Sequence, residues 1–379
     1  MLLAALALFA VVDLGETFSS KAAWTTNAVD FTAAHLADGF DFASARRDVV
    51  TCHRRGAAVW RGREVWETRI AFASDAGPTR VEMSLYNRGD RRGDESYPQE
   101  RVDELLSELQ TAFGGGAKPP KSTREKLAAG GFRCGCAWTK CDPRVELVWG
   151  VGAKGDIRDV RVTLSPSSAG ATRSVTGSVA SAKAKANVRR DAGGDVWIDG
   201  VPMVDQGRKG YCAAAVAERV LRYFGHDVDE HELAQRSDSK ARGGTRTVDM
   251  IETVKSVGAK RRLAFEKIVS LEAPSDGVDS DELRRRRTKD PRFRKFLSDV
   301  RTQVDRGIPV CWCVTLGLFP ESGMSFQSQG GHVRLIIGYN SKTREILYTD
   351  TWGAGHELKR MPEDLAFAIT GDAFFLRPI

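Results

Sequence analysis

The sequence lacks an apolar run long enough to cross a bilayer. Met1 to Val12 is unbroken and apolar, but a helical span needs roughly 20 such residues. No Lys or Arg precedes that run and no convincing small-residue cleavage site follows it, two features of an export signal. It still fits the apolar part of a signal peptide, which would make the protein secreted or periplasmic. The competing expectation is an ordinary N-terminal helix of a cytoplasmic protein, or a start placed too late. A strong charge of one sign is missing too: 57 Lys and Arg against 50 Asp and Glu leave +7 over 379 residues. With no nucleic-acid-binding motif beside it, no nucleic-acid partner is expected. The cysteines lack the spacing of paired zinc ligands. Cys134-Gly-Cys136 followed by Cys141 would need a fourth ligand, so neither a metal nor a cofactor is expected.

What is present suits a globular chain of two domains. Hydrophobic residues make up 41% and charged residues 28%, enough apolar material for real cores. Ala23 to Phe42 contains a short predicted helix. Strand-like runs follow at Ala57–Trp60, Glu64–Phe72 and Arg80–Tyr86, with Asp75-Ala-Gly-Pro78 as a turn. Glu100 to Phe113 carries Val102, Leu105, Leu106, Leu109 and Phe113 on one helical stripe, and strands are predicted at Arg144–Val151 and Val160–Leu164. Together these make a small α+β domain over 20–166, after an N-terminal segment 1–19. Ser165 to Gly194 is rich in Ser, Ala, Gly and basic residues with almost no large apolar side chain, and reads as a flexible linker, 167–194.

The domain that follows, 195–379, is organised around Asp205-Gln206-Gly207-Arg208-Lys209-Gly210-Tyr211-Cys212-Ala213-Ala214-Ala215. Tyr211 to Phe224 reads as a helix stopped by Gly225. Cys212 therefore falls in its first turn, where unpaired N–H groups and the helix dipole favour a thiolate. Gln206, six residues earlier, can offer its amide to a developing oxyanion. A nucleophilic Cys needs a base, and His332 in Gly330-Gly331-His332 opens an apolar strand. Asp350 comes eighteen residues later, in Tyr348-Thr349-Asp350-Thr351-Trp352-Gly353. Nucleophile, imidazole, orienting carboxylate and oxyanion donor are the parts that acyl transfer through a thiol requires. Helices are predicted at His231–Arg236 (capped by Asp229), Thr247–Val257 and Phe293–Val304. Strands are predicted at Ile308–Leu316, His332–Tyr339, Glu345–Thr349 and Ala373–Leu376.

The order Gln, Cys, His, Asp is that of the papain-like thiol peptidases. Val201-Pro202-Met203-Val204-Asp205-Gln206 through Tyr211-Cys212, then Gly330-Gly331-His332, then Asp350-Thr351-Trp352-Gly353, resembles the C39-like bacterial cysteine peptidases within that group. The resemblance covers 195–379. It implies an α+β fold of N-terminal helices followed by an antiparallel sheet, a peptide or protein substrate, and a Trp352 that shields the Asp350–His332 hydrogen bond.

Rival expectations are a papain-like fold used as a non-catalytic binding module, and an acyl or amide transferase on the same scaffold. His226 and His231 read as solvated surface, His356 lies on the wrong side of Asp350, and His53 reads as structural. With Cys212 set aside, the six remaining cysteines could pair in an oxidising compartment, although Cys311 and Cys313, flanking Trp312 on one strand face, read as buried free thiols. Arg284 to Arg287 reads as a solvated helix face or a docking patch for an acidic partner. Gly317 to Gln329, between two strands, reads as a cleft-lining loop or a passive connection. Residues 20–166 are expected to recruit substrate rather than to cover the cleft.

Overall fold

The computed structural model describes residues 11–73, 76–90, 96–127, 130–167, 181–228, 230–237, 245–274, 277–321 and 329–379. The chain separates into two compact units, with the main break between Thr172 and Arg173, and each has its own hydrophobic core.

The first unit is built on an eight-stranded antiparallel sheet. Its spatial order is Asp41–Phe42, Val49–Cys52, Glu67–Phe72, Pro78–Asn87, Ile157–Ser165, Arg144–Val151, Phe132–Trp138, Thr123–Lys126. Glu67–Phe72 alternates half-buried and buried positions along its whole length, the period-2 pattern of a strand with one face on the core. The helix Gln99–Phe113 turns Val102, Leu105 and Leu109 inward, as its stripe predicts. Phe132–Trp138 escapes sequence reading because Arg133 and Gly135 interrupt its apolar run. The N-terminal boundary moves: Leu14 and Phe18 are fully buried in this core, so the unit takes in residues assigned above to a separate 1–19 segment. Residues 1–10 of the apolar run lie outside the described residues.

The predicted linker is also shorter than expected. Ser181–Lys185 is helical and Val188–Arg190 is a strand paired with Asp195–Ile198. Ala184 is 0% exposed within the second core. A small residue plugging a tight site has the same composition as a linker residue, which is why the segment misleads. The rest of the predicted linker, 168–180, lies outside the described residues, as do Asp229 and most of Gly317–Gln329.

The second unit has an antiparallel sheet ordered Val188–Arg190, Asp195–Ile198, Gly330–Asn340, Val310–Leu316, Thr370–Pro378, Leu263–Ser270. Gly330–Asn340 organises it. Along one edge it pairs first with Val310–Leu316 and then with Asp195–Ile198, while Glu345–Thr349 takes the opposite edge. The helix Cys212–Tyr223 packs on this strand; Ala213, Ala214, Ala215 and Ala217 are all buried, and their short side chains let the backbones approach closely. The helices Glu230–Arg236, Thr247–Lys260 and Arg292–Asp305 follow, each within a few residues of its predicted span. Two further helices were read only as a basic run or not at all. In Ser280–Thr288, Arg285 and Arg286 face solvent, but Arg287 is buried and donates to the Glu272 carbonyl at 2.5 Å. Glu363–Ile369 closes the core with Ala366, Phe367 and Ile369.

All seven cysteines are free, so the alternative of six paired cysteines does not hold. Cys134 and Cys136, like Cys311 and Cys313, are alternate residues of one strand, pointing side by side rather than toward each other. Cys311 and Cys313 are buried, as read.

Gly307 shows how closely the added N-terminal segment fits. It has φ +73°, and a Cβ there would lie 1.9 Å from the Ala184 carbonyl oxygen. Tyr223 Oη donates to the Gly307 carbonyl at 2.8 Å and receives Asn187 Nδ2 at 3.1 Å. Gly307→Ala combines backbone strain with a clash, and should lower the stability of the second unit by about 1–3 kcal/mol or more. Chemical denaturation of the variant checks this; an unchanged midpoint would show that Ser181–Lys185 is not seated there.

Candidate active site

Cys212 is the first residue of its helix. Tyr211 precedes it with φ −102° and ψ 15°, and no side chain caps the helix start, so the first-turn N–H groups face the thiol end. Burial pushes the thiol up, but its hydrogen bond to His332, the charge there and the backbone N–H groups outweigh burial, and the Cys212 pKa lies below the ordinary thiol value. The other six thiols are shifted the opposite way by burial: Cys311 up to about 12, Cys313 well up, and Cys52, Cys134, Cys136 and Cys141 upward.

Sheet register brings the imidazole and the carboxylate together. Leu335 pairs with Thr349, so Asp350, one residue further, falls level with Arg334. His332 is two residues from Arg334 and shares its strand face. His332 Nε2 and Asp350 Oδ1 are 2.6 Å apart, which leaves Nδ1 as the ring nitrogen for the thiol. Burial pushes His332 down, but the Asp350 carboxylate more than compensates and raises it to about 9. Asp350 is fully buried. Burial raises its pKa, and the His332 charge and hydrogen bond, Arg334 and the Thr351 N–H together hold it well below the usual carboxylate range. Trp352 stacks on His332 with centroids 4.6 Å apart at 21°, covering the pair on one side.

Gln206 is buried and tied to the strand end that carries Asp350. Its N–H donates to the Thr351 carbonyl at 2.9 Å, and its Oε1 accepts from Thr351 Oγ1 at 2.5 Å. With the carbonyl end taken by Thr351, Nε2 is the opposite, donating end of the amide. The turn after Trp352 needs Gly353: its φ is +75°, and a Cβ would lie 2.6 Å from Asp205 Oδ2. The Gln206 loop and the Asp350 turn are therefore in close contact.

Several polar residues of this site carry no motif. Arg219, seven residues beyond Cys212 on the same helix, is buried and donates to the carbonyls of Pro202 (2.7 Å) and Asp350 (2.6 Å) and to Thr349 Oγ1 (2.7 Å); burial lowers it to about 10. Arg334 Nε donates to Asp350 Oδ2 at 2.8 Å. The available signal was the charged residue inside an otherwise apolar helix or strand, since such residues are rarely buried unless paired. Glu218 is another: it accepts from the Glu230 N–H at 2.6 Å and pairs with Arg222, joining the Cys212 helix to the next.

The remaining histidines of this unit take other places. His231 is buried beside the Tyr211 ring, 6.2 Å between centroids, and not on the solvated surface expected for it, because Leu233 and Ala234 draw its helix into the core. His226 is part-buried and its pKa is lowered by burial. The His356 carbonyl accepts from the Asp350 N–H at 2.9 Å, and its ring meets Trp352 edge-on.

Residues 198–369 match the model of the Peptidase_C39 like family. No curated protein sequence matches the chain. Matching solved structures include xylellain, a cysteine protease from Xylella fastidiosa, at 13% identity and a TM-score of 0.29, over 52% of this chain and 88% of that one. No helix among the described residues is long and apolar enough to cross a membrane.

The opposed shifts of Cys212 and His332 predict a window of thiol reactivity. Above the lowered Cys212 pKa the thiolate is present, and up to about pH 9 His332 remains protonated beside it. Iodoacetamide at mildly acidic pH should modify Cys212 fastest of the seven cysteines. Peptide mapping of the labelled protein reads this, and equal labelling across accessible thiols would contradict it.

Proposed function

Because residues 198–369 match the model of the Peptidase_C39 like family, we propose that this protein is a thiol peptidase that cleaves peptide bonds through an acyl-enzyme on Cys212. The observation that carries this reading is the lowered thiol of Cys212, joined to an imidazole that a buried carboxylate holds at 2.6 Å. The thiolate attacks the scissile carbonyl, and the oxygen takes up the negative charge. Gln206 Nε2 and the N–H at the start of the Cys212 helix donate to that oxygen. The His332 imidazolium passes its proton to the leaving amine, leaving a neutral ring and a thioester. Water then attacks with His332 as base, and collapse expels the thiolate and the new carboxylic acid. Asp350 keeps the ring tautomer and orientation through both halves, and Trp352 keeps water from the His332–Asp350 hydrogen bond.

The first unit has a core of its own, which supports substrate recruitment more than the role of a covering strip. An N-terminal truncation that tests this should begin near residue 173 and not at Asp195, since Ala184 and Val188–Arg190 belong to the second unit. On the recruitment reading, the truncated enzyme should match the full chain on short peptides and fall behind on protein substrates. Much faster short-peptide cleavage after truncation would mark the first unit as inhibitory.

Cys212→Ala and His332→Ala should each remove most activity, and the double variant should be little worse, because the two act as a unit. Gln206→Ala should lower kcat by about two to three orders of magnitude with the fold retained. Mass spectrometry of products formed with an added amine should find the free acid; a dominant amide product would identify a transferase.

A further inference from the structure

Arg334 is 0% exposed on a strand whose neighbours Val333, Leu335, Ile336 and Ile337 are apolar and buried. A buried guanidinium is costly unless its donors are used. Arg334 uses both ends of its fork: Nε donates to Asp350 Oδ2 at 2.8 Å, Nη1 donates to Glu321 Oε1 at 3.1 Å, and Nη2 lies 2.9 Å from Glu321 Oε2. Glu321 is fixed in turn by Tyr348 Oη, which donates to its Oε2 at 2.7 Å. The Arg334 guanidinium carbon lies 4.7 Å from the Tyr348 ring centroid and 5.7 Å from that of Trp352.

Asp350 therefore has its two oxygens assigned to different partners. Oδ1 serves His332 Nε2 and the Thr351 N–H, and Oδ2 serves Arg334. A carboxylate held only at Oδ1 could rotate about its own axis and swing the imidazole with it. We infer that Arg334 is a positioning residue: with Glu321 as its counter-charge, it fixes the plane of Asp350 so that one oxygen alone is presented to His332. This deepens the peptidase reading above and rests on it. A lysine could supply the same charge, but as a point donor it could not span two carboxylates in fixed geometry. Among the described residues, the charged and titratable groups facing Arg334 and Asp350 are His332, Glu321, Tyr348, His356 and Lys359, whose Nζ lies 5.4 Å from the Trp352 ring centroid, with Arg219 reaching the Asp350 carbonyl.

The test uses the full chain and two variants, with circular dichroism to check folding. Arg334→Lys keeps the charge and removes the fork. It should shift or abolish the downfield proton resonance of the His332 Nε2–H and slow iodoacetamide modification of Cys212 at mildly acidic pH by up to about a hundredfold, the scale of a small misplacement in a reacting pair. A resonance and an alkylation profile that coincide with the unsubstituted protein would overturn the inference. Glu321→Gln covers the case in which Arg334→Lys does not fold. Removing that anion leaves Arg334 less compensated, which favours the thiolate and disfavours the imidazolium, so both limbs of the reactivity window should move to lower pH. Limbs that stay in place would overturn the inference as well. The peptidase reading fails separately, if Cys212 in the unsubstituted protein is no more reactive than the other thiols.

Discussion

The site depends on a carboxylate that has been removed entirely from water. A buried, ionised Asp is tolerated only when its lone pairs are used, and Asp350 uses them: His332 and the Thr351 N–H at one oxygen, Arg334 at the other, with Arg219 on its carbonyl. These four partners come from three places in the chain. The His332 strand supplies two, the Cys212 helix one and the turn after Asp350 one. Satisfying this single charge therefore fixes the helix, the strand and the turn against one another. The functional geometry and the fold's main polar constraint are the same set of contacts.

The contrast among the cysteines shows how little local chemistry decides by itself. Cys313 and Cys212 are both thiols of the second unit, and burial pushes both upward. Cys313 sits in mid-strand, where Lys267 alone opposes that push and is outweighed by burial and the neighbouring Cys311 and Asp372. Cys212 sits where a helix begins and where the register of two strands delivers an imidazole already charged by Asp350. The difference between an inert thiol and a nucleophile lies in those partners.

Much of this was legible in the sequence, because the informative residues stand where local structure changes. Gln206 lies before a turn, Cys212 at a helix start, His332 near the start of a strand, and Asp350 just past a strand end; each position has a spacing signature. Arg219 and Arg334 have none, since they sit inside regular elements and their partners are 131 and 16 residues away. The period of the strand held a usable hint: residues two apart share a face, so whatever reaches Asp350 from position 332 is accompanied by position 334. Ser181 to Arg190 was misread for a different reason. Composition reports whether a segment can make a core of its own, and this one completes a core made by others, with Ala184 as the plug and Val188–Arg190 as an edge strand.

The arrangement also has an electrostatic logic that follows the reaction. On the peptidase reading, the groups joined by hydrogen bonds or ion pairs to Asp350, His332 and Arg334 comprise three anions in the resting state (Asp350, Glu321 and the Cys212 thiolate) and three cations (His332, Arg334 and Arg219), with the half-buried Lys359 outside this set. In the proposed cycle, forming the thioester would consume the thiolate and discharge the imidazolium together, because the proton leaves with the amine. Hydrolysis restores both together. At each stable stage of that proposed cycle the charges of this set sum to zero, and in the tetrahedral states an anion moves from sulfur to an oxygen facing the Gln206 amide. A site that returned to neutrality through protons exchanged with solvent would need an open path to water beside the imidazole. This one needs no such exchange, since the neutralising charges, Arg334 and Glu321 above all, are permanent features of the fold.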